Sequence, residues 1–270
     1  MTDKTKELIA ERNRIICGDC LKILPLLSKA TMIFADPPDN LGIKYEGFMD
    51  NWPSDLGYLD WLCRVTDAAL DKSLIFWLSY NARWTAGLVH QLQSRHIPWQ
   101  HLCSLRLFIW RFTFGQHNQN DCGNGFRPLL RFKSTDDNAI LYPDAIREPS
   151  ARQTKYNDKR ANPEGRVPDD VWEFPRVCGT FKERKKWHPC QHPKALLRRI
   201  VLFSTKPGDL VIDMFAGSGN LIEVCRETDR QFIGIDISRF YCEQIAKEQD
   251  IKVICPALIA KELAKEHGGK

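Results

Sequence analysis

The chain predicts an α/β fold built on a doubly wound, mostly parallel sheet. Two observations carry this. Short apolar runs alternate with segments of helical spacing along most of the length. One run, Val211-Ile212-Asp213, passes through a glycine-rich turn, Met214-Phe215-Ala216-Gly217-Ser218-Gly219-Asn220, into a helix from Leu221 to Thr228. A further strand, Gln231 to Asp236, then ends in an acid, the arrangement that places a carboxylate against ribose hydroxyls.

At 270 residues the chain can bury a substantial core as one domain, or as one domain with an inserted lobe. No apolar run is long enough to span a membrane, and the polar stretch from Met1 to Arg14 does not read as a signal peptide. Ten cysteines without framework spacing read as reduced thiols of a cytoplasmic protein. The net charge of +5 is uneven. Between Arg147 and Lys186 eleven Lys/Arg stand against seven Asp/Glu, which is the footprint of a polyanion-binding segment or of a solvated charged face.

Arg14 to Asp19 reads as a strand and its polar turn, and Cys20 to Ser28 as a helix with Leu21, Leu24 and Leu27 on one face. Thr31 to Ala35 is a strand that delivers Asp36-Pro37-Pro38-Asp39 at its carboxyl end; the prolines stop the strand and fix the turn. A helix follows from Tyr58 to Leu70, a buried strand over 74–78, and a helix from Trp84 to Gln93. Leu102 to Phe112 and Pro128 to Phe132 are strands around a glycine- and asparagine-rich loop. From 136 to 187 periodicity fades, and so long an irregular stretch inside a domain is expected to be functional. Helices at Pro193–Ser204 and Arg239–Glu248 frame the glycine turn. Trp61, Trp77 and Trp110 read as core.

Glycines at 217 and 219 let the backbone turn sharply and approach a ligand. The helix amides that follow favour an anionic group such as a carboxylate. A dinucleotide-binding dehydrogenase uses the same kind of turn, but Gly217-Ser218-Gly219 lacks the third glycine of that fingerprint, and Asp36-Pro37-Pro38 would have no role. Cys178, His188, Cys190 and His192 can be drawn as a zinc site, although one-residue spacings suit tetrahedral ligation poorly.

These motifs, in this order, resemble the amino DNA methyltransferases of the beta arrangement. Asp36-Pro37-Pro38 is similar to the Asp-Pro-Pro-aromatic catalytic motif, and Asp213 to Gly219 to the Asp-Pro-Phe-Ala-Gly-Ser-Gly motif that binds S-adenosyl-L-methionine. His188-Pro189-Cys190-Gln191-His192-Pro193 resembles a His-Pro-Thr-Gln-Lys-Pro segment, Gly18-Asp19-Cys20 a Gly-Asp-Cys turn, and Gly234-Ile235-Asp236 the ribose-contacting strand end. The resemblance implies a Rossmann-like methyltransferase fold with a mixed, seven-stranded sheet. Its catalytic half would be 1–135, an irregular basic target-recognition segment 136–187, its cofactor half 188–256, and a C-terminal tail 257–270.

The resemblance also assigns residues. Asp36, Pro37, Pro38 and Asp39 would form the catalytic motif. Asp19, Cys20, Asp36, Gln191, His192, Pro193, Asp213, Phe215, Ala216, Gly217, Ser218, Gly219, Asn220, Asp236 and Ile237 would hold the cofactor, with Asp19 on the adenine amino group. Arg152, Lys155, Lys159, Arg160 and Arg166 would contact double-stranded DNA. No metal is required. A homodimer and a cognate restriction endonuclease are further partners that the resemblance leaves open.

The reaction implied is direct methyl transfer to the exocyclic N6 of an adenine flipped out of the duplex. Hydrogen bonds from the amino group to the Asp36 carboxylate and the Pro37 carbonyl would stabilise the positive charge that grows on the nitrogen. A carboxylate with a pKa near 3.9 cannot deprotonate a neutral amine, but it can accept the proton after methylation.

Position 39 departs from the pattern, since Asp39 stands where the family has a ring that stacks on the flipped base. Such stacking is worth about 1–3 kcal/mol. Asp39 would also crowd Asp36 with a like charge. Tyr45, Phe48 and Trp52 are candidate substitutes. The alternatives are a cytosine N4 or RNA amino methyltransferase, or a catalytically impaired cofactor- or DNA-binding homologue. Met214, Asn220 and His192, standing for Pro, Thr and Lys, are milder departures.

Overall fold

A computed structural model describes residues 11–95 and 104–256 of the chain. Its strands are β1 (Arg14–Cys17), β2 (Ala30–Ala35), β3 (Lys44–Tyr45), β4 (Phe48–Met49), β5 (Ser73–Ser79), β6 (Arg106–Gln116), β7 (Asn124–Lys133), β8 (Val171–Phe174), β9 (Leu210–Asp213), β10 (Gln231–Asp236) and β11 (Lys252–Ile254). Its α-helices are α1 (Cys20–Ile23), α2 (Asp55–Lys72), α3 (Thr85–Ser94), α4 (Ala151–Thr154), α5 (Lys194–Ser204), α6 (Asn220–Glu227) and α7 (Arg239–Gln249). The start of the strand expected from Leu102, and the tail 257–270, lie outside the described residues.

The main sheet runs β11-β1-β10-β9-β2-β5-β7-β6-β8. Nine strands replace the seven expected. The seven read from the sequence form its middle, and the short β11 and β8 extend the two edges. Pairing is parallel from β11 to β5, antiparallel around β7, and parallel again between β6 and β8.

Successive residues of the central strands face opposite helical layers, as strand geometry requires. Met32, Phe34, Ile75 and Trp77 pack with α5, α6 and α7, whereas Ile33, Phe76 and Leu78 pack with α2 and α3. Helix α2 starts at a Ser54 cap whose hydroxyl accepts from the Gly57 amide at 3.1 Å, and it buries Tyr58, Leu59, Leu62, Val65 and Ala69. The helix expected over 20–28 shortens to α1 and a 3₁₀ turn, Leu24–Leu26, that contains Pro25.

The stretch 136–187 is less irregular than its composition predicts. Strand β8 lies parallel to β6, and Trp172 is 1% exposed between Trp77, Phe108 and Phe203. Glu148 and Arg166 form an isolated antiparallel bridge, and Ser150 caps α4 with a full capping box. No described helix is long and apolar enough to cross a membrane.

The fold's pivot is the β2–β9 pair. It joins a strand from the first half of the chain to one from the last, with Phe34 opposite Asp213. Both strands therefore end on the same side of the sheet.

Candidate active site

At those strand ends a cavity of about 460 Å³ opens, the size of a small-ligand pocket. Asp19, Cys20, Asp36, Pro38, His192, Asp213, Phe215, Ala216, Gly217, Ser218, Asn220, Asp236 and Ile237 all line it. The glycine turn is built as expected. Gly217 and Gly219 have φ of +48° and +75°, and a Cβ at Gly219 would sit 2.9 Å from Ile245. Asp236 accepts from the amides of Gly217 and Ser238, each at 2.8 Å. Asp213 accepts from the Phe215 amide at 3.2 Å.

Three residues assigned to the cofactor do not reach the cavity wall. Gln191 spends its amide on the Glu183 carbonyl at 2.7 Å and the Lys185 amide at 2.9 Å, tying down the loop before α5. Pro193 caps α5, and Gly219 stands behind the turn as the cap of α6. Trp61, expected in the core, packs half-buried against it and also lines the cavity beside Phe215, their ring centres 5.9 Å apart.

A loop roofs this cavity. Asp50 is buried and its carboxylate accepts from the amides of Asn40, Leu41 and Ile43 at 2.7, 3.0 and 3.3 Å. The loop carries the β3–β4 hairpin, where the Glu46 amide donates to the Tyr241 hydroxyl at 2.9 Å. Tyr45, Phe48 and Trp52, the candidate stacking rings, all line the cavity from this loop.

The cavity wall is acidic in a way that suits a cation. Burial raises the Asp213 carboxyl to about 8, and the charges that reach it, from Asp36 and Asp236, have its own sign. Burial likewise raises Asp236 to about 6, against the pull of its two amide donors. Asn220 Oδ1 is buried without a hydrogen-bond partner. S-adenosyl-L-methionine, which carries a sulfonium and an ammonium, supplies the positive charge and the donors these groups lack. The residues fit it.

Asp36 sits at the rim within a ring of polar contacts. Its Oδ1 accepts from Arg127 Nη2 at 2.7 Å, and its Oδ2 lies 3.0 Å from His192 Nδ1. His192 Nε2 is 2.9 Å from Ser79 Oγ, which accepts from Arg127 Nε at 2.6 Å. Burial opposes ionisation of Asp36, but His192 and Arg127 overcome it and hold the carboxyl well below the ordinary range. Pro37 is buried, and the Pro38 carbonyl accepts from the Tyr58 hydroxyl at 3.0 Å.

Asp39 does not face the cavity. It accepts from Arg127 Nη1 at 2.6 Å, from Arg127 Nη2 at 3.1 Å, and from the Asn81 amide at 2.9 Å. Burial raises its carboxyl, against the pull of Arg127; every one of its bonds is accepted, which is the pattern of an ionised group. The like charge expected to trouble Asp36 is thus bridged by one guanidinium. Sequence reasoning missed both Arg127 and Ser79. Arg127 closes the glycine-rich loop before β7's apolar run, where only the oddity of a charge beside Pro128 marked it.

The expected DNA contacts are all exposed, but two are already engaged. Arg166 pairs with Glu148 at 2.8 Å and Asp169 at 3.2 Å, and Arg160 makes a two-pronged contact with Asp158 at 3.0 and 3.1 Å.

The sheet order, the acidic cavity and the carboxylate at its rim define a methyltransferase that takes its methyl group from S-adenosyl-L-methionine. A family model described as DNA methylase matches residues 30–248. The chain belongs to that family, and it methylates DNA. It is similar to the DNA adenine methyltransferase YhdJ of Escherichia coli (strain K12), 32% identical over 94% of this chain and 87% of that protein. In fold it resembles M1.HpyAVI, solved as a complex with S-adenosyl-L-methionine, at a TM-score of 0.54 and 18% identity over 87% of this chain and 98% of that one. The cytosine-N4-specific PvuII DNA methyltransferase gives a TM-score of 0.59 at 14% identity, over 88% of this chain and 86% of that one.

Proposed function

We propose that the chain methylates the exocyclic N6 of adenine in duplex DNA, with Asp36 as the group that receives the target amine. The observation that carries this is the position of Asp36 on the cavity's rim, two residues beyond the point where β2 pairs with Asp213 of the cofactor turn. A base entering there meets the carboxylate on one side and the methyl donor on the other. The donor supplies an electrophilic methyl group when bound. Asp36 then orients the amino group, offsets its growing positive charge, and takes up the proton released after transfer.

Asp213 and Asp236 are suited to the donor's ammonium and ribose, and Phe215 and Trp61 to its apolar parts. Of the five cations assigned to DNA, Arg152, Lys155 and Lys159 are exposed and stand outside the ion pairs that engage Arg160 and Arg166, which suits them to phosphate. Adenine is favoured by the likeness to a protein named for adenine methylation and by the Asp-Pro-Pro motif. The cytosine-specific neighbour supports only the fold.

Mass spectrometry of nucleosides from DNA incubated with the protein and labelled donor tests this directly. N6-methyladenine is expected. N4-methylcytosine in its place would overturn the base assignment, and turnover that survives Asp36→Ala would overturn the role of Asp36.

A further inference from the structure

We infer that Arg127 is a positioning residue for Asp36 and that Asp39 is its counter-charge, the two forming one device in place of the family's stacking ring. This deepens, and rests on, the reading of Asp36 as the group that receives the target amine. Departures from the family motif converge here. Asp39 replaces the aromatic and His192 replaces a lysine, and both reach the same small cluster around Asp36.

The geometry divides the guanidinium's donors. Nε goes to Ser79, Nη1 to Asp39, and Nη2 is shared between Asp39 and Asp36. A guanidinium fork naturally takes a single carboxylate with two parallel bonds. Without Asp39, Arg127 would be free to grip Asp36 that way and occupy lone pairs that the target amine needs. With Asp39 taking two of the bonds, Arg127 gives Asp36 one, to Oδ1. Each carboxylate oxygen has about two acceptor sites, so both oxygens of Asp36 keep capacity for an incoming N–H.

The same pair explains how two carboxylates share this corner. The Asn81 amide, and Trp84 Nε1 donating to the Asp39 carbonyl at 2.8 Å, anchor Asp39 from the segment after β5. Arg127 comes from β7, next to β5 in the sheet. The device is therefore pinned to neighbouring strands. Asp36 also feels Asp213 from β9, His188 and Cys190 from the loop before α5, and Tyr45 from the roof. Among the described residues, only Arg127 and His192 are cationic or cation-forming partners in direct contact with it.

The test is a set of variants read by kcat, by donor affinity from calorimetry, and by the pH profile of kcat. Arg127→Gln and Asp39→Asn are each expected to lower kcat at least tenfold while donor affinity stays within about threefold. Losing the guanidinium removes a charge that favours ionised Asp36, so the acid limb for Arg127→Gln moves to higher pH. Arg127→Lys keeps the charge and should leave that limb nearly in place while kcat still falls. The double variant should be no worse than Arg127→Gln alone, because each change breaks the same device. Additive losses, an unmoved acid limb, or donor affinity falling in step with kcat would overturn the positioning role. Asp36→Asn separates the two levels. If it abolishes turnover while Arg127→Gln is silent, only the role of Arg127 and Asp39 falls. If Asp36→Asn retains full turnover, the parent reading falls and takes that role with it.

Discussion

Phe34 of β2 stands opposite Asp213 of β9 in parallel register, and the Met214 amide donates back to the Phe34 carbonyl at 3.0 Å. This contact sets two strand ends from opposite halves of the chain side by side, so that Asp36 and the glycine turn share one cavity. The chemistry of the site depends on that adjacency.

Asp213 should couple donor binding to pH. Its carboxyl is raised to about 8, above the value of about 3.9 expected when unfolded. The folded protein therefore holds a proton that the unfolded chain has released, and stability of the free protein falls as pH rises from about 4 to 8. The slope for one such carboxyl is about 1.4 kcal/mol per pH unit. Binding a cationic donor favours the ionised form and should expel the proton. Calorimetry in buffers of different ionisation heat is expected to record proton release between pH 7 and 8, above the range where Asp236 titrates, and Asp213→Asn should abolish it while weakening binding at least tenfold.

Asp39→Tyr taken alone should lower turnover. The ring would leave Arg127 without the partner that holds it off Asp36, and truncating one side of such a buried pair costs about 3–5 kcal/mol. Steady-state kinetics together with a thermal melt would check this. A gain in rate would mean that Asp39 is a defect and not part of the machinery.

The Glu46–Tyr241 bond should control how long the donor stays. Tyr241→Phe leaves the Glu46 amide without its acceptor and weakens the closed hairpin by about 1 kcal/mol. Stopped-flow measurement should find donor dissociation about fivefold faster with the fold unchanged. An identical rate would mean that the hairpin does not gate the cavity.

Trp172 should matter for stability without touching the cavity. It is almost wholly buried on the side of the sheet that α5, α6 and α7 cover, and its Nε1 donates to the Asp169 carbonyl at 2.7 Å. Trp172→Ala is expected to cost about 3–5 kcal/mol in denaturant unfolding. A loss under 1 kcal/mol would show that β8 docks only loosely.

Lys155 and Lys159 should carry part of the DNA affinity. Replacing both by Ala is expected to weaken binding and to lower the salt slope by about 0.9 for each phosphate no longer neutralised. Arg166→Ala should act differently, through stability, because Arg166 already bridges Glu148 and Asp169. Fluorescence anisotropy across a salt series separates the two effects.

Periodicity and motif order, read from the sequence alone, determined the fold class, the seven central strands and most of the cavity wall. Alternation along a strand and the special backbone of a glycine turn are local properties, written within a few residues. The tertiary structure decided what those residues face. Asp39 finds Arg127 across 88 positions because the strand order sets the ends of β2, β5 and β7 side by side, and Ser79 at the end of β5 reaches His192 across 113 because the loop before α5 packs onto those ends. Gln191 turned inward to the backbone, and Arg166 turned to Glu148, for the same reason. A charged or polar side chain takes the partner that packing places within about 3 Å, and spacing along the chain does not encode that choice.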